Sequence, residues 1–280
     1  MIKVEKISEN NVKVFFSSLQ DVYELINETE KCKGKTRNFQ VNINGFTNNF
    51  NLVSFEEAKK LLKFGWLEGA KKMESTITSK VLTDKSTTCN SVKIRNEYNV
   101  AGFQCSVPRY LQGIPTNMIN QKRVVQKQKV MTVVKHIGFL CDISPETIIE
   151  NSIKALEIIK KIEDSGVRCN LDIISPAIIS RYFKLTIVIR VKNANERMNI
   201  GKIAFPIAHP DMLRRIIFAL RLGCANRKYV PENLFGDYST EIGATIYDRE
   251  VVKKLLNPGE KYLHNFINDI DEEIKNFNLK

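Results

Sequence analysis

The segment between residues 129 and 191 limits the fold more than any other. Lys129 to Cys141 (KVMTVVKHIGFLC) is a run rich in β-branched residues, too apolar for an exposed edge and suited to a central strand. Asp142-Ile143 leads to Ser144-Pro145-Glu146-Thr147, with a serine to cap a helix, a proline at its first position and a carboxylate in its first turn. Ile148, Ile149, Ile153, Leu156, Ile159 and Ile162 follow at helical spacing, and Gly166 ends the run. Val167 to Ile174 reads as a second strand and Tyr182 to Val191 as a third. A strand, a crossover helix and a strand make a parallel pair. The connection from Ser175 to Arg181 is too short for another crossover, so the third strand should run antiparallel to the second.

That unit sets the expected class: α/β, a partly parallel sheet with flanking helices. Ahead of it lies an N-terminal α+β region, residues 1–120. Residues 121–280 form the α/β core with C-terminal helices, and the two parts make up one domain or two. With 280 residues, 43% of them hydrophobic, the chain buries a sizeable core without staples. Six scattered cysteines (Cys32, Cys89, Cys105, Cys141, Cys169, Cys224) include no C-x-x-C pair and read as reduced thiols, several of them buried.

In the N-terminal region, Val12 to Phe16 reads as a strand and Asp21 to Glu28 as a short helix. Asn44-Gly45 reads as a hairpin turn between Phe39–Ile43 and Phe46–Val53. Ser54-Phe55-Glu56-Glu57 is a capping box, opening a helix that reaches about Met73. Gly65 and Gly69 lie inside that helix at about 1 kcal/mol each, beside the only Trp. Either Trp66 anchors the helix to the core, or the glycines mark a break or a close backbone approach. Residues 83–97 read as loop, and Pro108 opens a short helix that Gly113 ends. Beyond the core unit, a helix is expected from Pro210 to about Leu222 with Gly223 as its stop. Arg249 to Leu256 and Glu260 to Phe277 read as terminal helices.

The formal charge of +12, from 43 basic and 31 acidic residues, favours a polyanionic partner, most often DNA or RNA. Three basic groups carry the expectation, together with Arg109 and Tyr110: Lys122, Arg123 and Lys127 in a mixed polar and apolar run; Arg214, Arg215 and Arg221 on the helix after Pro210; and Arg227-Lys228-Tyr229, which follows that helix. Gathered on one side, they would track phosphates and stack bases. Scattered, they are solvated faces. No apolar run is long enough to span a bilayer and no apolar block follows Met1, so the expectation is an intracellular protein with no membrane partner.

No P-loop, G-x-G-x-x-G, H-E-x-x-H or G-x-S-x-G is present, and no catalytic residue is assigned. Asp142, Ser144 and Glu146 sit where a parallel strand ends, the edge at which open α/β sheets bind ligands. Two readings apply: oxygen ligands for a hard cation such as Mg²⁺, or a helix start with Ser144 as cap and Glu146 against the dipole.

This loop resembles the first loop of von Willebrand factor A-type domains, whose Asp-x-Ser-x-Ser pattern holds a divalent cation. Here Pro145 fills the variable slot and Glu146 replaces the last serine. Several other segments resemble an uncharacterised family of tailed-bacteriophage proteins: Ser54 to Gly69; Val107-Pro108-Arg109-Tyr110-Leu111-Gln112-Gly113 with Met118; Gly166-Val167-Arg168; and Ala204 to Arg215 through His209-Pro210-Asp211. That resemblance implies a phage or prophage origin, a place in the host cytoplasm or the virion, and other phage proteins as partners. The expected function is non-enzymatic nucleic-acid binding in replication or genome handling. The alternative is a virion or assembly component that uses the same surface for subunit contacts. An enzyme built on the Asp142 loop is a third possibility.

Overall fold

A computed structural model describes residues 1–31, 53–81, 92–125, 129–139, 143–179, 183–226 and 244–277. Its main sheet runs in the order β1 (Ile2–Ser8), β2 (Asn11–Phe16), β8 (Lys184–Lys192), β7 (Arg168–Ile178), β6 (Val130–His136) and β10 (Glu260–Leu263). The two-residue strand β9 (Ala244–Thr245) adds to β7. β6 and β7 are parallel, from Val130↔Arg168 to His136↔Ile174, and are joined by α5 (Pro145–Asp164). β8 returns antiparallel to β7, as the short connection requires. The fold is therefore α/β with a partly parallel sheet, and β6 is interior to it.

β2 pairs in parallel with β8, and β1 folds back on β2 as an antiparallel neighbour. The N-terminal strands thus belong to the same sheet as the 129–192 unit.

Alternation along the strands makes two cores. Val133, Leu171 and Ile187 face a helical layer, in which they meet Val22 and Leu25 of α1 (Leu19–Lys31), Leu62 of α2 (Phe55–Phe64) and Met73 of α3 (Leu67–Val81). Leu156 and Ile159 of α5, Phe205 of α6 (Ile200–Ala208) and Leu220 of α7 (Phe218–Asn226) complete that core. Val134, Ile174 and Val188 face a smaller cluster with Ile246, Tyr262 and Val252, the last on α8 (Arg249–Lys253). Burying one such side chain contributes about 1.5–3 kcal/mol, so the helical side dominates.

The Ser54 cap forms as its motif demands: its hydroxyl accepts the Glu57 N–H at 3.2 Å. The helix does not run on to Met73, however. Gly65 takes φ 89° and lies so close to Gly201 that a Cβ would sit 2.3 Å from the Gly201 carbonyl oxygen. Trp66 N–H donates to that same oxygen at 3.3 Å, and α3 starts at Leu67. Trp66 also anchors, packing against the helical core with its ring edge-on to His209 at 4.7 Å. Both readings of the glycine-flanked tryptophan are realised.

Other expectations need correction. Gly223 does not stop its helix: α7 passes through it to Asn226. Residues 260–277 are not one helix. Tyr262 and Leu263 enter opposite cores, a period of two, so 260–263 forms strand β10, parallel to β6; only α9 (Ile270–Asn276) is helical. Residues 92–97 of the segment read as loop belong to strand β3 (Val92–Asn99). The Asn44-Gly45 hairpin lies outside the described residues.

Candidate functional site

Residues 92–125 form a second, three-stranded sheet in the order β3, β5 (Met118–Val125), β4 (Gln104–Cys105). β3 and β5 pair antiparallel in eight steps, from Val92↔Val125 to Asn99↔Met118. At about 3.4 Å per residue the ribbon is roughly 27 Å long. The span carries five basic residues and one acidic, Glu97.

Its root is cationic. Arg95 stands directly opposite Lys122, both exposed, and like charges so placed repel. Lys122 reaches Glu97 at 3.4 Å. Arg123 follows on β5, opposite Ile94 in the register. Lys127 and the Arg227-Lys228-Tyr229 group lie outside the described residues.

Its far end is apolar. β4 leads into the short helix α4 (Val107–Leu111), where Pro108 occupies the first turn, and Gly113 leaves the helix at φ 70°. Backbone bonds shape this tip: Phe103 N–H to Ile119 O at 3.0 Å, Ser106 N–H to Asn117 O at 2.7 Å, and Ile114 N–H to Arg109 O at 3.0 Å. Arg109 serves the tip's architecture, with its guanidinium over the Tyr98 ring and its Nη2 donating to Thr116 Oγ1 at 3.4 Å. Around this frame Val100, Phe103, Val107, Tyr110 and Leu111 are each 61–78% exposed. So many large apolar side chains bared within twelve residues mark an interaction surface.

Arg109, Tyr110, Lys122 and Arg123 therefore share one small sheet, while the other basic group lies elsewhere. Arg215 and Arg221, expected on a phosphate-tracking surface, are only 2% and 1% exposed and belong to the core. Arg215 Nε lies 3.5 Å from Asp211, whose carboxylate also accepts the Val53 N–H at 3.2 Å and meets His209 Nδ1 at 3.2 Å. Arg221 donates to Ser175 Oγ at 3.2 Å and Thr245 Oγ1 at 3.0 Å, and burial lowers its pKa to about 10. Arg214 is half-buried. The signal was present in the sequence: Met212 to Leu222 is apolar on most sides, and such a helix is interior. Met212–Ile217 is a π-helical stretch that runs straight into α7.

Of the proposed cation ligands, Asp142 lies outside the described residues. Ser144 spends its hydroxyl as the cap of α5, accepting the Thr147 N–H at 3.3 Å and bonding Thr147 Oγ1 at 3.0 Å. Glu146 is exposed in the first turn. Among the described residues no group of three or more His, Cys, Asp or Glu is placed to hold a metal. Cys169 and Cys224 are buried thiols, pushed up to about 12, and Cys105 is exposed on β4. Cys32, Cys89 and Cys141 lie outside the described residues.

Residues 3–271 match the family described as Domain of unknown function (DUF7192). The chain belongs to it. No curated protein and no solved structure matches. The matched span takes in the main sheet and the small sheet alike, so the basic root and apolar tip lie within the DUF7192 domain. No helix among its described residues is long and apolar enough to cross a membrane.

Sequence reasoning also passed over Lys135 and His136, consecutive polar residues at the carboxyl end of β6. Both are fully buried. Desolvation brings the Lys135 amine down to about 7 and His136 down to about 3, which leaves the imidazole neutral. The Asn265 amide bonds His136 Nδ1 at 3.3 Å and the Gly138 carbonyl. Two ionisable side chains inside a run read as a central strand were the available clue.

Proposed function

We propose that this DUF7192 chain is a non-enzymatic assembly protein that docks on another protein through the tip of its small sheet. The observation that carries the reading is the bared apolar set Val100, Phe103, Val107, Tyr110 and Leu111, held on a shaped frame. Aromatic and aliphatic side chains of this size supply interface energy when they enter a pocket. The basic root behind them selects a partner whose apolar cleft is rimmed by carboxylates, since opposite charge speeds encounter and fixes orientation. The resemblance to tailed-phage proteins supplies the setting: a phage or prophage protein in the host cytoplasm or the virion, with another phage protein as partner. The Asp142 loop, which resembles the cation-holding loop of von Willebrand factor A-type domains, plays no part in this function, which needs no metal.

The test is mass spectrometry of purified particles and assembly intermediates made with the wild-type chain and with Phe103→Ser/Leu111→Ser. Wild type should be incorporated and the variant lost from the same fraction at unchanged stability. Absence of the wild-type chain from every such fraction contradicts the reading.

A second reading, nucleic-acid binding in replication or genome handling, draws on the Arg95–Lys122 pair, two exposed cations held side by side. It requires binding to a DNA or RNA oligonucleotide that weakens steeply with salt, and Lys122→Ala should flatten that slope by about one unit. No binding at low salt removes it.

A further inference from the structure

β1 closes one end of the main sheet. It pairs with β2 on one side, and among the described residues no strand pairs with its other side. An edge strand of seven residues presents a row of backbone donors and acceptors that another strand can take up. The side-chain layer is open here too. Val4 stands opposite Val14, on the face where Val12, Val14 and Phe16 are buried, yet Val4 is 41% exposed while Ile2, at the start of the strand, packs against the helical core.

The order of charges along the strand names the occupant. Lys3-Val4-Glu5-Lys6 is self-complementary when two copies run antiparallel about Val4. Val4 then meets Val4 of the second copy, each Lys3 faces a Glu5, and each Ile2 lies against the stem of a Lys6. Paired positions share parity, so both helical layers fall on the same side of the joined sheet. A guard of like charges would repel a second copy in every register. This sequence attracts in the register about Val4, whereas a one-residue slip sets Lys3 against Lys6 and puts Val4 on the opposite face.

We propose that β1 is a homotypic docking edge, through which two copies of the chain join antiparallel into one continuous two-fold sheet. This contact uses none of the residues that form the tip of the small sheet.

Sedimentation velocity on the full chain, over a dilution series at moderate salt, tests it. Wild type should show a monomer–dimer equilibrium. Glu5→Lys and Lys3→Glu, each setting like charges against each other twice, should weaken association by about tenfold. The swapped double variant Lys3→Glu/Glu5→Lys should restore it, a rescue that a merely misfolded edge would not give. A wild-type monomer at every concentration overturns the proposal. So does a dimer indifferent to the single variants, or a swap that fails to restore pairing.

Discussion

The Arg109 guanidinium lies over the Tyr98 ring, 4.1 Å from its centroid, and so ties α4 to β3 across the tip of the small sheet. A residue expected to touch phosphate instead holds an apolar surface in shape. Arg109→Ala should remove about 0.5–1 kcal/mol of local stability. Hydrogen exchange should then quicken between residues 98 and 114, while the melting of the main sheet stays where it was.

Gly65 and Gly113, two left-handed glycines that follow helices, should respond very differently to an added methyl. At Gly65 the φ of 89° and the 2.3 Å approach to Gly201 O act together, so Gly65→Ala should cost about 2–4 kcal/mol in urea denaturation. Nothing lies within 4 Å of the Cβ position at Gly113, so Gly113→Ala should cost only the left-handed conformation, about 1 kcal/mol. Equal losses would mean that α2 and α6 are not in contact there.

Lys135 makes stability depend on pH. Its amine has no hydrogen-bond partner among the described residues, and burial holds it near 7 against 10.5 in the unfolded chain. Between those values the unfolded chain binds the extra proton, so this residue's contribution to stability rises as pH increases. Below pH 7 the folded state carries the full cost of a buried charge. Lys135→Met should therefore stabilise the protein by a few kcal/mol at pH 6, on the order set by the shift, and by much less near pH 10. Denaturant titrations at the two pH values check it, and an unchanged midpoint at pH 6 would show that the amine is solvated.

Asp172 is 1% exposed and receives both Arg190 Nε at 2.7 Å and Nη2 at 2.8 Å. Removing one partner of a buried bidentate pair strands the other charge. Asp172→Asn should cost about 3 kcal/mol, the lower part of the range for such breaks, because Arg190 keeps 23% of its side chain in solvent. Calorimetric melting reads the loss.

What was legible in the sequence follows from which elements have one buried side or two. The run from β6 to β8 announced itself because each strand is apolar on both faces and the helix between them carries a cap, a stripe and a stop. β1 and β3 were hard to read for the opposite reason: Ile2-Lys3-Val4-Glu5 and Val92-Lys93-Ile94-Arg95 alternate only briefly, and apart from Ile2 the described side chains of both strands are exposed, so no buried face extends the pattern. Tyr262-Leu263 was too short a run to separate a strand from the acidic helix that follows it. The basic surface failed in part because net charge does not report position. Arg215 and Arg221 satisfy interior hydroxyls and a carboxylate, while Arg95, never singled out, is the exposed cation beside Lys122.

The central claim is that the tip of the small sheet is a protein-docking surface. Its most direct measurement is site-specific photo-crosslinking in producing cells, with the probe placed at Leu111 and, as a control, at exposed Lys60 on α2. The account predicts one discrete protein adduct from Leu111, lost when Phe103→Ser is added and never formed from the control site. Adducts to nucleic acid, or the same scattered products from both sites, would contradict it.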